Sequence, residues 1–203
     1  MICVIDSGVG NLRSVTKAVE ALGYEVKLTN SSSDILSAEK VILPGVGEFS
    51  ACVNGLRDNG IFDTVKEYIQ KKKLLLGICV GFQMLFESSE ESKDVLGLGV
   101  FKGQVRRFSN DLIVPHMGWN SIDISQDNDL ANKLFKDIKN GSFFYFAHSY
   151  YVDPLDDKLT IAKTNYGKDF VSSIAKENVF AVQFHPEKSQ ALGLKLLDNF
   201  LSL

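Results

Sequence analysis

The sequence predicts an α/β fold, a three-layer sandwich whose mostly parallel central sheet carries helices on both faces, with antiparallel strands added in the second half. Three observations lead there. Short, continuous apolar runs alternate with amphipathic stretches through the first 90 or so residues, the βαβα pattern of a parallel sheet covered on both sides. Later apolar runs crowd together with Gly, Asn or Asp between them, as in hairpins. The chain is 45% hydrophobic and 23% charged over 203 residues, ordinary globular composition with ample material for a core. No repeat, low-complexity tract or Pro/Gly/Ser-rich linker divides it, so one unit spanning 1–203 is expected.

Taken in order, "ICVID" reads as the first strand and Leu12 to Leu22 as an amphipathic helix closed by Gly23. "YEVKLT" and "KVILPG" read as strands, followed by helix from Phe49 to about Lys72 with a break near Asn59-Gly60. Leu74 to Cys79 is a short apolar run, hence a buried strand. Phe82, Leu85 and Phe86 then recur at helical spacing in a helix expected to end near Ser88-Ser89. In the second half "GVFKGQVRRF", "NSIDIS", "SFFYFAHSYYV", "LTIAKT", "FVSSIAK" and "VFAVQFHP" read as strands, with helices at Leu130–Ile138 and Ala191–Phe200.

Composition excludes several functions. Net charge is −3, and the one tight basic run, Lys71-Lys72-Lys73, precedes a buried strand as a solvated helix end would, so no nucleic-acid partner is expected. The longest apolar stretch near Cys79 is about half the roughly 20 residues of a membrane span, and "MICVID" has no basic n-region of a signal peptide. Three cysteines without CxxC spacing predict neither a disulfide framework nor a zinc site, and fit a reducing cytoplasm. In Asp6-Ser7-Gly8-Val9-Gly10-Asn11, Arg13 occupies the position that would complete GxGxxG, and no Walker sequence occurs, so no cofactor or metal is expected.

Gly77-Ile78-Cys79-Val80-Gly81 has the form of a nucleophile elbow with Cys in place of Ser. A sharp strand-to-helix turn needs small neighbours, presents Sγ at the sheet's C-terminal edge, and sets it near a helix N-terminus that favours thiolate. The Val80 amide would face an oxyanion formed by attack. A buried structural cysteine fits the same five residues equally well. His185 is the best-placed base: Pro186 biases it toward extended backbone, and Glu187, two residues on, can lie beside the imidazole as the third member of a triad. Alone, these three residues read better as a surface His-Pro-Glu turn. The loop Pro44-Gly45-Val46-Gly47 offers a second oxyanion donor or an ordinary strand-to-helix turn.

Together, P-G-V-G, G-I-C-x-G-x-Q and a late H-P-E resemble the triad-type glutamine amidotransferases. "PHMGWN", "YFAHSYY", "HPEKS" and the opening "GVGN" narrow the resemblance to the glutaminase subunits of imidazole glycerol phosphate synthases, over almost the whole chain. Val80 and Phe82 stand where that family more often has Leu and Met. The resemblance implies hydrolysis of L-glutamine by Cys79, with His185 as base, Glu187 as its orienter, and backbone amides of Val46, Gly47 and Val80 as oxyanion hole. It further implies that Gln83, Ser149 and Tyr150 hold the substrate, whereas His148 reads as a satisfied core histidine. It implies a (β/α)8-barrel cyclase partner that consumes the ammonia, with Asn11, Met117, Trp119 and Lys188 on the docking face, although a lone Trp beside Gly in a loop also suits core packing. Competing readings are a paralogue feeding another synthase, a cysteine peptidase or stress-protein relative, and a non-catalytic module. Gln83 after the elbow and the late His-Pro-Glu disfavour the second, and the presence of every triad member with a suitable side chain disfavours the third.

Overall fold

The computed structural model describes residues 1–9 and 12–203. In its first half, β1 (Ile2–Ile5), α1 (Leu12–Ala21), β2 (Val26–Thr29), α2 (Ser32–Ser37), β3 (Lys40–Gly45), α3 (Phe49–Asp58), α4 (Phe62–Gln70) and β4 (Leu74–Cys79) alternate. A single helical turn, α5 (Val80–Gln83), follows, then β5 (Ser88–Ser89), β6 (Gly103–Arg107), β7 (His116–Ser121), β8 (Asp123–Ile124) and α6 (Asp129–Leu134). The chain closes with β9 (Phe143–His148), β10 (Tyr150–Pro154), β11 (Thr160–Asn165), β12 (Asp169–Lys176), β13 (Val179–Val182) and α7 (Gln190–Leu201).

The main sheet runs β2-β1-β3-β4-β13-β12-β10-β6-β5, with β11 paired to β12 and β8 beyond it. The first five strands in that order are parallel. From β12 outward the neighbours β13, β10 and β6 join antiparallel. Every residue of β1, β3 and β13 is buried. That requires cover on both faces, which is why these strands are uninterrupted apolar runs. The group α1, α6 and α7 supplies one cover, and α2, α3 and α4 the other. Along α1, Leu12, Val15, Ala18 and Val19 form its buried stripe, as the spacing predicted. The expected break between α3 and α4 falls at Asn59-Gly60, where Gly60 takes φ +68°. Among the described residues, no helix is long and apolar enough to cross a membrane.

Four local expectations are corrected. The helix α2 was not anticipated, although Ser31 caps it by accepting a hydrogen bond from the Asp34 N–H, an S-x-x-D signal present in the sequence. The helix after Cys79 stops after one turn because the carbonyls of Met84, Leu85 and Phe86 are taken by the N–H groups of Leu98, Phe101 and Gly99. The run read as one strand from Ser142 to Val152 breaks at Ser149, since β9 pairs with β7 and β10 with β6. Met117-Gly118-Trp119, expected in a loop, lies in β7, so "NSIDIS" contributes only the end of β7 and the short β8.

The two-stranded ribbon β7–β9 stands apart from the main sheet, with Met117 opposite Ala147 and Trp119 opposite Tyr145. Strand alternation turns His116, Phe144, Phe146 and His148 inward, all buried, and leaves Met117, Trp119 and Phe143 exposed.

Candidate active site

Cys79 ends β4 between β3 and β13, at the C-terminal edge of the parallel sheet. Its backbone is left-handed, φ 55° and ψ −112°, a conformation that costs a non-glycine residue about 1–3 kcal/mol. The turn needs glycine behind it: a Cβ on Gly81 would sit 1.9 Å from the Leu43 carbonyl oxygen, and one on Gly45 2.7 Å from the Gly81 nitrogen. Backbone thus touches backbone where β3 meets the elbow. The thiol is only 3% exposed, on the floor of a cavity and not at an open sheet edge.

His185 follows β13 by three residues and is anchored at both ends. Its N–H donates to the Tyr145 carbonyl at 2.9 Å, and its carbonyl accepts from Ser189 Oγ at 2.6 Å. Extended geometry stops at Pro186, where a 3₁₀ turn over Pro186–Lys188 replaces the expected alternation. This turn brings Glu187 Oε1 to 2.8 Å from His185 Nδ1, with both side chains 2% exposed. With Nδ1 engaged, Nε2 is the nitrogen left to face Cys79. Burial opposes the imidazolium, but the negative charge of the nearby Cys79 sulfur, then Glu187, outweighs it and pushes His185 up to about 10. One turn of helix carries little dipole, so this histidine is the main positive charge facing the sulfur.

The cavity above Cys79 has a volume of about 210 Å³, below the usual range for drug-sized ligands of ~300–1,000 Å³ and suited to an amino acid. It brings together Val46, Gly47, Val80, Gln83, Ser149 and Tyr150 from the sequence-derived candidates, and His148 beside them. The N–H groups of Val46 and Gly47 have no partner among the described residues, while the Val46 carbonyl accepts from Cys52 Sγ at 3.7 Å. Gln83 is more constrained than expected. Its Nε2 donates to the Tyr150 carbonyl at 3.0 Å and to Gln183 Oε1 at 3.1 Å, so only its oxygen is left for a ligand.

Two residues escaped the sequence reading. Glu91 lines the cavity with a carboxylate raised by burial, partly offset by the Phe49 N–H that donates to it at 2.8 Å. Nothing local in "SSEESK" separates it from a solvated acid. Gln183 is fully buried and sends Nε2 to 3.8 Å from Cys79 Sγ; its position two residues before His185 was the available clue.

His148 and His116 form a buried pair, Nε2 of the first 3.0 Å from Nδ1 of the second. Burial holds His148 at about 3 and His116 at about 4. His148 is therefore the neutral core histidine that the sequence suggested. Of the docking candidates, Met117 and Trp119 are 65% and 47% exposed on the outer ribbon face, and Lys188 Nζ lies 5.9 Å above the Tyr145 ring on that face. Trp119 is thus no core residue. Asn11 falls outside the described residues.

A comparison of families matches residues 3–202 to "Glutamine amidotransferase class-I". A relative from Methanocaldococcus jannaschii, named imidazole glycerol phosphate synthase subunit HisH, is 48% identical over 203 residues, covering 100% of both chains. One of the same name from Aquifex aeolicus is 46% identical, covering 97% of this chain and 94% of its own. Among solved structures, PurLQS from Thermotoga maritima aligns with a TM-score of 0.74 at 21% identity, covering 99% of this chain and 97% of that one. A crystal structure of a glutamine amidotransferase aligns at 0.75 and 20%, covering 98% of each chain. These two share the fold.

Proposed function

The chain belongs to the class-I glutamine amidotransferases, and from that premise we propose that it is the glutaminase subunit of an imidazole glycerol phosphate synthase. The observation that carries this reading is Cys79 on the floor of an amino-acid-sized cavity, with the buried His185–Glu187 pair behind it, outside the cavity lining. Cys79 Sγ attacks the side-chain amide carbon of L-glutamine. His185, fixed through Nδ1 by Glu187, holds the proton at Nε2 and hands it to the departing ammonia. The γ-glutamyl thioester is then opened by a water that His185 deprotonates, releasing L-glutamate and regenerating the thiol. Both tetrahedral oxyanions face the amides of Val80 and of the Val46–Gly47 segment; one such donor is worth about 10²–10³ in rate. The Gln83 oxygen, Ser149, Tyr150 and the Glu91 carboxylate are placed to hold the head group, Glu91 opposite its ammonium.

Ammonia released into bulk water is protonated and loses its nucleophilicity, so the reaction needs a sealed partner. The partner proposed is a cytoplasmic (β/α)8-barrel cyclase that makes imidazole glycerol phosphate and an aminoimidazole carboxamide nucleotide in histidine biosynthesis. It would dock on Met117, Trp119 and Lys188. Met117 also lines the cavity, so the mouth and the apolar ribbon face adjoin. The test is glutamate release from glutamine with and without the purified cyclase. Stimulation by the cyclase and loss of activity in Cys79→Ala are expected. Glutaminase activity retained in Cys79→Ala overturns the nucleophile, and failure to pair overturns the pathway.

A further inference from the structure

Behind Cys79, polar side chains that are buried except for the half-buried Asn120 form a continuous path that the triad does not use. It starts at Asn120 Nδ2, which lies 3.2 Å from His116 Nε2, and passes to His148 through the 3.0 Å contact between the imidazoles. His148 Nδ1 lies 2.8 Å from the Tyr150 carbonyl, which Gln83 Nε2 also reaches at 3.0 Å. Gln83 then contacts Gln183, and Gln183 contacts Cys79 Sγ.

The proton positions along this path follow from one group, because a carbonyl only accepts. His148 Nδ1 must carry hydrogen, so in the neutral ring Nε2 is bare. His116 must then donate from Nδ1, leaving its own Nε2 to accept from Asn120. On the other arm Gln83 must present its nitrogen to Tyr150. The second hydrogen of that nitrogen faces Gln183, which must therefore show Gln83 its oxygen. Gln183 has only its NH₂ left for the sulfur. Burial of both histidines keeps them neutral near pH 7, so the tautomers do not scramble.

We propose that Gln183 is a positioning residue for the nucleophile, an amide whose donor is locked onto Cys79 Sγ by a one-way chain of buried hydrogen bonds anchored on the Tyr150 carbonyl. The sulfur is then held from two sides, by the Gln183 amide and by His185, and its remaining lone pair faces the cavity. The donor favours the free thiolate over the acylated sulfur, which is a poorer acceptor. Other titratable groups around the sulfur are Glu187 beside His185, Glu91 across the cavity, His148 on β9 and Cys52 on α3. This inference rests on Cys79 being the nucleophile.

The experiment is alkylation of Cys79 by iodoacetamide from pH 4 to 9, read by mass spectrometry of the Cys79 peptide so that Cys3 and Cys52 do not contribute. Gln183→Glu keeps size and shape but turns an acceptor toward the sulfur, and Gln183→Met removes the donor. In both, the alkylation curve is expected to move to higher pH, by about one unit for Met, equivalent to about tenfold at a fixed pH below the midpoint, and further for Glu. Because the charge introduced by Gln183→Glu would itself raise the thiol, Gln183→Met is the deciding variant, and a role limited to filling space predicts the wild-type curve for it. A folded Gln183→Met that alkylates along the wild-type curve overturns the proposal. If it does not fold, Gln83→Met decides, because it leaves Gln183 in place but frees its amide to rotate: a smaller upward move supports the proposal and no move refutes it. Wild-type enzyme alkylated at Cys79 yet still hydrolysing glutamine would instead sink the nucleophile assignment, a separate result.

Discussion

Lowering the pH from 7 to 5 should destabilise this fold by about 3 kcal/mol, mostly through two histidines that are not in the triad. His116 and His148 are 4% and 6% exposed, and burial lowers them from 6.5 to about 4 and about 3. Below pH 6.5 the unfolded chain binds a proton at each while the folded chain does not, so stability falls with pH until it nears the folded values. Between pH 7 and 5 each loses about 2 kcal/mol, from about 1.4 kcal/mol per unit. His185 acts oppositely: raised to about 10, its contribution is complete below 6.5 and is lost as pH climbs toward 10. Over the same interval it returns about 1 kcal/mol. Urea unfolding at pH 7, 6 and 5 measures the sum. The control is His116→Phe, because His116 already stacks on Tyr166 and Phe146, with ring centroids 4.1 and 4.9 Å away. That variant should lose about 2 kcal/mol less than wild type on acidification. Equal wild-type stability at pH 7 and 5, or an undiminished loss in the variant, refutes the assignment of the acid sensitivity to this pair.

Glu187→Gln should leave the fold intact and cut glutamine turnover by up to about 10⁴, since the amide no longer fixes the His185 tautomer; a coupled glutamate assay within threefold of wild type would remove Glu187 from the triad. Gly81→Ala forces a Cβ to within 1.9 Å of the Leu43 carbonyl and should cost about 3 kcal/mol or more, a fall in Tm of roughly 6–12 °C by calorimetry. Trp119→Ala should weaken cyclase binding about thirtyfold in a calorimetric titration while changing the isolated chain's stability by less than about 0.5 kcal/mol. An unchanged affinity would move the docking face elsewhere.

What the sequence made legible was local. The glycines flanking Cys79 announce a turn because their reason, a backbone contact with β3, forbids any Cβ. The continuous apolar runs of β1, β3, β4 and β13 announce a parallel sheet because burial on both faces leaves no room for alternation. His185 and Glu187 are two residues apart, so their pairing survived even though a 3₁₀ turn, not extended chain, brings it about. The helix after Cys79 was overextended because its end is decided by a segment more than ten residues later that takes its carbonyls. Glu91 and Gln183 were missed for the same reason: what makes them part of the site is a cavity wall and a sulfur supplied from elsewhere in the chain.

The ribbon shows where non-local pairing does the most. "PHMGWN" gives no internal sign of being a strand, and "SFFYFAHSYY" none of being two; each takes its form only from partners found in the folded chain. Once β7 and β9 pair, the two-residue alternation does two jobs with adjacent positions. Met117, which lines the cavity, and Trp119 go outward, while His116 and His148 go inward, onto the polar path that ends at Cys79. A one-residue slip of β7 against β9 would bury the exposed Met and Trp and turn His116 to solvent, so the same register that builds the outer face builds the inner one. Any partner pressing on Trp119 therefore loads a strand whose other side touches the hydrogen bonds behind the nucleophile.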